Sequence, residues 1–334
     1  MTVMRDLGRP DWGRVRIGSV ELPLRGVVSV TGIALWLAIA VVLAGFDHTL
    51  AAVAANAGFV AGLVLLASLT RTIGVITVAR VFVLGALAMA IMLLIAGPLA
   101  GLARDPSTTV DPIAEELLKL IPLVLLLWQG RRLSIWQLGA TDILLIAVAA
   151  GAGFAVVEDA YIRMNEGWGD TLPFLPTTEI YEDRIRGSRI IPGHAIWTGL
   201  AGVTIGVAWL VAHIRPVLVV APLGFAIALA DHIASNSGHA LPELAVLVII
   251  LFVTGVVGVV ALDLFVLRRK LPAVPELDAA ISRPGPLTAR WRRLLASRRL
   301  RFAAWRFAPR SARSGAAQRA VEASVIELVD NRSS

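Results

Sequence analysis

The sequence predicts an all-α, polytopic integral membrane protein. Three observations predict it. Of the 334 residues, 57% are hydrophobic and only 16% are charged, where a soluble domain carries about 25%. The mean hydropathy is +0.77. The apolar residues form long uncharged blocks rather than the ten-residue alternating segments that a membrane β-barrel needs. This pattern excludes a soluble globular enzyme and a disordered chain. The absence of cysteine excludes disulfides, thiolate metal sites and cysteine nucleophiles.

A spanning helix needs about 20 mainly apolar residues. Eight spans are expected, at residues 26–46, 50–69, 81–103, 112–129, 137–157, 190–212, 217–235 and 244–262. Together they make a transmembrane domain over 26–267. Residues 1–25 are too polar and Arg-rich for a cleaved signal, and read as a cytoplasmic N-terminal segment.

Orientation follows from the Lys and Arg of the short loops. With both termini cytoplasmic, the inner side collects Arg5, Arg9, Arg14, Arg16, Arg25, Arg71, Arg80, Arg131, Arg132 and Arg215. Trp128 and Trp136 bracket Arg131 and Arg132 as an interfacial belt would. The connection at about 160–189 departs from the pattern, with four Arg among more numerous acidic residues. The expected location is a bacterial plasma membrane.

Net charge is +7, unevenly placed: residues 268–334 hold fifteen Arg/Lys against five Asp/Glu, and the rest of the chain sixteen against nineteen. This basic tail opens with a linker over 271–286. At 287–307, Leu287, Trp291, Leu294, Leu295, Phe302 and Trp305 fall near one helical face. Such a helix suits an anionic lipid surface; a solvated tail is the equal alternative. Nucleic acid is not expected as a partner, because no recognition module accompanies the charge.

Ionisable groups inside a bilayer are costly and need a reason. Four clusters stand out. The fourth span opens with Asp111, Glu115, Glu116 and Lys119. The fifth ends with Phe154, Glu158 and Asp159. The sixth begins at Gly193 and His194, and the seventh ends with Asp231, His232 and Asn236. Alternating chain direction brings all four to the outer half of the membrane. Scattered structural polar groups have no reason to converge in this way. Glu115 and Glu116 lie four and three residues before Lys119, so either carboxylate can reach the ammonium. Glu115 and Glu116 point about 100° apart on a helix, so one is expected to face the site and the other a neighbouring helix. His232 and Asn236 share a face, as do Phe154 and Glu158.

The motifs Glu115-Glu116-x-x-Lys119, Phe154-x-x-x-Glu158, His194 followed by Gly202, and His232-x-x-x-Asn236 resemble those of PrsW-type intramembrane proteases. That family shares a superfamily with the CAAX prenyl endopeptidases and the APH-1 subunit of γ-secretase. The resemblance covers about residues 111–237. It implies a glutamate-dependent endopeptidase acting on single-span membrane substrates of the anti-sigma-factor kind, near the outer face. Two departures stand: Asp159 occupies a position where many relatives carry Asn, and Glu158 one where the prenyl endopeptidases carry His.

Peptide hydrolysis needs an activated water, oxyanion stabilisation and a proton for the leaving amine. Glu115 or Glu116 is the expected base, with Glu115 favoured by the superfamily analogy. His194 is expected to position the water or carry the proton. His232 and Asn236 are expected to donate to the oxyanion. Lys119, Phe154 and Glu158 are supporting residues.

The bland readings are a structural ion pair for Glu115, Glu116 and Lys119, a helix-start role for His194 and interhelical hydrogen bonds for His232 and Asn236. Phe154 reads as packing, Trp197 and Tyr161 as interfacial aromatics, and Asn56 and Asp142 as structural. No cofactor is expected. The metal alternative places a divalent ion on Glu115, His194 and His232, although no His-Glu-x-x-His helix exists. The remaining alternatives are a proton- or ion-coupled transporter and a non-catalytic scaffold.

Overall fold

A computed structural model describes residues 14–17, 20–23, 41, 45–100, 106–129, 138–166, 170–172, 175–183, 187–211, 219–237 and 241–268, with part of 286–302. The first expected span and the linker lie almost wholly outside these residues. Seven long helices occur among the described residues: α1 (Phe46–Leu66), α2 (Val75–Ala100), α3 (Pro106–Gln129), α4 (Ala140–Glu166), α5 (His194–Leu210), α6 (Ala221–Asn236) and α7 (Pro242–Arg268). They correspond in order to the second to eighth expected spans. An N-terminal hairpin pairs β1 (Arg14–Ile17) with β2 (Val20–Pro23).

Four of the helical segments, Phe46–Leu69, Val75–Ile95, Ala140–Ala160 and Pro242–Arg268, are long and apolar enough to cross a membrane. Helix α3 carries Asp111, Glu115, Glu116 and Lys119 in its first two-thirds, while α5 and α6 have 17 and 16 residues. At 1.5 Å per residue these two reach only about 25 Å, so each stops short of a full bilayer core.

Helix α4 is the axis of the molecule. Its membrane-length window is wholly buried, whereas only 28–33% of the windows of the other three spans is. It packs against α1, α2, α3, α5 and α7. Small residues make this possible. A Cβ on Gly85 would fall 2.0 Å from the Ala150 carbonyl oxygen, and one on Gly153 would fall 1.8 Å from that of Phe82. Any side chain there would force α2 and α4 apart. The outer helices present exposed Leu84, Leu94, Leu117, Val124, Ile250 and Val257, the surface expected of lipid-facing helices.

The connection between α4 and α5 is a three-stranded antiparallel sheet in the order β3 (Asp170–Leu172), β4 (Leu175–Asp183), β5 (Gly187–Ile191). Sequence reading assigned no structure here and began the sixth span at 190. Ile190 and Ile191 instead pair with Ile180 and Glu179 in the sheet, and α5 starts at His194. The apolar run therefore crosses from strand to helix, and the break is Pro192-Gly193. Gly193 has φ +80°, a conformation that glycine adopts without a Cβ clash.

The described tail residues lie at the other end of the bundle. Arg298 donates to the carbonyls of Ser68 (2.7 Å) and Arg71 (3.2 Å), and Arg299 to that of Thr72 (2.8 Å). Leu295 and Phe302 are buried, and Leu287 is exposed. Part of the apolar face that suited a lipid surface is thus covered by the protein itself.

Candidate active site

The expected convergence occurs, and it occurs at one end of the bundle. Glu115, Glu116 and Lys119 come from α3, Glu158 from the last turns of α4, His194 from the first residue of α5 and His232 from the last turns of α6. Gly151 brings α4 and α5 together here, since a Cβ on it would meet the His194 carbonyl oxygen at 2.4 Å and Thr198 Oγ1 at 2.8 Å.

Lys119 is wholly buried, a position that an ammonium occupies only with partners. Its Nζ lies 2.5 Å from Glu116 Oε1 and 2.5 Å from His194 Nδ1, and it sits over the Phe154 ring at 4.7 Å. Of the two carboxylates within reach by spacing, Glu116 makes the ion pair. An ammonium has donors and no lone pair, so His194 Nδ1 accepts. The His194 proton then sits on Nε2, which donates to Glu158 Oε2. His232 Nδ1 lies 3.0 Å from Glu116 Oε1. The carboxylate can only accept, so Nδ1–H donates and the Nε2 lone pair is left free.

That lone pair points at Glu115. His232 Nε2 is 3.5 Å and His194 Nε2 is 4.0 Å from Glu115 Oε2, a buried oxygen without a hydrogen-bond partner. Glu115 and Glu116 therefore both face the site. The sequence expectation that one would turn to a neighbouring helix is not met, because His194 of α5 and His232 of α6 both approach Glu115 and Glu116. Three carboxylates share the cluster with one ammonium. Charge balance requires protons on the imidazoles or carboxylates, or a bound cation.

The supporting residues are placed as follows. Phe154 is fully buried with its ring edge-on to His194, 5.1 Å between centroids. Thr198 Oγ1 lies 3.5 Å from Glu116 Oε2. Glu158 is the most open of the three carboxylates in the cluster, with 28% of its side chain exposed. Asn236 ends α6 one turn beyond His232 and is exposed. Asn56 and Asp142, which had no assigned partners, bond to Asp159 (2.7 Å) and to Thr72.

Trp197 was misjudged from the sequence. It is 2% exposed and not an interfacial anchor. Its ring stacks on His232 at 4.2 Å and 16°, and its Nε1–H donates to Asp231 Oδ2 at 2.7 Å. Its position three residues after His194 was the available signal, since i and i+3 share a helix face.

With this geometry in place, comparison with known families shows that residues 25–262 match the PrsW family intramembrane metalloprotease description. The chain belongs to the PrsW family. It is thus a membrane protein of a peptide-bond-hydrolysing family, and the match reaches well beyond the 111–237 region that carried the resemblance. No curated protein and no solved structure matches the chain.

The PrsW description names a metal, so the donor set bears on it. Ligand atoms of Glu115, His194 and His232 all lie within 4.8 Å of one another, and a two-His, one-Glu set is one that catalytic zinc uses. The unpaired Glu115 oxygen and the His232 imidazole, oriented by a carboxylate at Nδ1, suit a cation. His194 would have to present Nε2 without its proton, with Glu158 placed to accept that proton and Lys119 placed to supply one to Nδ1 so that the imidazole stays neutral. The residues fit a divalent ion.

Proposed function

We propose that this PrsW-family chain is an endopeptidase that cleaves single-span membrane proteins, of the anti-sigma-factor kind, near the outer face of a bacterial plasma membrane, with both chain termini cytoplasmic. The arginine distribution supports the orientation. One observation carries the chemical reading. Glu115 Oε2 is buried with no hydrogen-bond partner among the described residues, and His232 Nε2 lies 3.5 Å from it. A water molecule satisfies both by donating one O–H to each, which holds its oxygen lone pair outward for attack.

Glu115 takes the proton as the water oxygen bonds to the scissile carbonyl carbon. Partial burial makes a carboxylate a better base for this step. A proton passes to the leaving amine when the C–N bond breaks, with His194 giving up its Nε2 proton and taking the one held by Glu115 in its place. The expectation that His232 donates to the oxyanion needs its imidazolium form. In the resting tautomer its Nε2 accepts, so it holds the attacking water rather than the oxyanion. Asn236 supplies an amide donor from the open side. Lys119 holds Glu116 and His194 in register.

A second reading is favoured by the Glu115, His194 and His232 set: these residues hold a divalent metal. A bound zinc ion would supply a Lewis acid that acidifies water. The deciding experiment is cleavage of a model single-span substrate by purified protein in liposomes. The wild type should cut and Glu115→Gln should not, with both folded. Under the first reading a chelator leaves the rate unchanged. Loss of activity that zinc restores transfers Glu115, His194 and His232 to ligand roles. Ion flux without proteolysis would favour the transporter, and neither activity the scaffold.

A further inference from the structure

We infer that Trp197 and Asp231 form a bracket that sets the plane of the His232 imidazole, making Trp197 a positioning residue of the site. The catalytic consequence rests on the peptidase reading, whereas the bracket itself does not.

Asp231 and His232 are neighbours on α6, and adjacent helical residues point about 100° apart. One partner touches both only if it is large, and the Trp197 indole is. Its N–H donates to Asp231 Oδ2 at 2.7 Å, while its face covers the His232 ring at 4.2 Å and 16°. The same indole meets His194 edge-on, 5.2 Å between centroids and 75° between planes. Trp197, Asp231, His232 and His194 are all buried. The indole thus lies against both site histidines without touching either glutamate of α3 among the described contacts.

The hydrogen bond from His232 Nδ1 to Glu116 Oε1 secures one atom of the ring. It does not by itself secure the ring plane. Rotation about the Cβ–Cγ bond tilts the ring, and a half-turn puts carbon where nitrogen was. Either change removes the Nε2 lone pair from Glu115 Oε2. A flat indole in van der Waals contact opposes the tilt, because tilting drives a ring edge into it. Stacking alone leaves the indole free to slide, and the bond to Asp231 stops that. Asp231 therefore acts through Trp197, and Trp197 through His232.

Two readouts test the bracket. The first is independent of cleavage: NMR of histidine-labelled protein in detergent, with His232 assigned by its loss in His232→Gln. The wild type should show His232 ring protons displaced upfield by the indole and a single Nδ1–H tautomer. Trp197→Ala should lose the displacement and mix tautomers, and Trp197→Phe should keep much of both. An undisplaced wild-type signal overturns the bracket. The second is kinetic. Trp197→Ala should lower kcat about 30-fold with KM within about threefold, and Trp197→Phe should recover most of it. Asp231→Ala should lower kcat about fivefold in the wild type and less than about twofold in the Trp197→Phe background, because its effect passes through the indole N–H. Equal losses in the two Trp197 variants, or an undiminished Asp231 effect, overturn the assignment. A wild type that cuts nothing but shows the displaced ring sinks the peptidase reading and leaves the bracket standing.

Discussion

At the first turn of α4, Asp142 accepts four hydrogen bonds, from the backbone N–H of Thr72, Ile73 and Gly139 and from Thr72 Oγ1. Beside it, Asp263 of α7 accepts from the N–H groups of Ala140 and Thr141. Some 16 residues further along the same helix, Glu158 meets a cluster built wholly from side chains, in which Glu115 keeps an oxygen unpaired. Both ends bury carboxylates. The first uses them to satisfy backbone donors at and beside a helix start, so every carboxylate oxygen there accepts at least one hydrogen bond. The second joins titratable groups to one another and leaves acceptors aimed at one point. Burial of charge is therefore no guide to chemistry by itself. What separates the two ends is whether the partners are fixed backbone dipoles or groups able to exchange a proton.

The comparison breaks most sharply at Glu115. Glu115→Gln should lower cleavage by roughly 10³-fold or more, within the range of a lost general base, while the unfolding midpoint stays near wild type. Full activity in both Glu115→Gln and Glu116→Gln would place the site end in the same structural class as the other. Asp142→Ala should do the reverse. It strands three backbone N–H groups, at a cost of about 3–5 kcal/mol, measured by reversible unfolding in mixed micelles. The rate per folded molecule should stay within about threefold. A selective loss of turnover at unchanged stability would mean that the two ends are coupled through α4.

Smaller effects sharpen the picture. Asn236→Ala should lower kcat about tenfold, below the 10²-fold or greater loss of a fully enclosed oxyanion donor, because its side chain is exposed. An unchanged kcat would remove Asn236 from the oxyanion role. Gly193→Ala should destabilise by about 1–2 kcal/mol, since the backbone there has φ +80°. It should also reduce activity several-fold by displacing His194. Normal activity in that variant would mean that Lys119 and Glu158 alone fix the His194 ring.

Much of this was legible in the chain because membrane chemistry makes polar residues conspicuous. Glu115, Glu116, Lys119, Glu158, His194 and His232 stand out in apolar sequence, and alternating helix direction brings them to one end. What spacing could not decide was which partner each would take. Glu115 and Glu116 were equivalent candidates for Lys119, and the packing of α5 and α6 on α3 assigned the ion pair to Glu116. Trp197 was missed because an indole at a helix start has an ordinary interfacial role. Asp263 was invisible as a cap because its targets lie 122 and 123 residues away.

The amino-acid sequence alone determined that this chain is a bundle of membrane helices and that acid, imidazole and ammonium groups collect at one end of it. Both follow from the cost of placing polar atoms in hydrocarbon. Only the tertiary structure decided the partners of the His194 and His232 ring nitrogens, the isolation of one Glu115 oxygen and the grip of Asp231 and Trp197 on His232. Those depend on distances of a few ångströms between helices remote in the chain, set by glycine contacts and side-chain shape that no periodicity encodes.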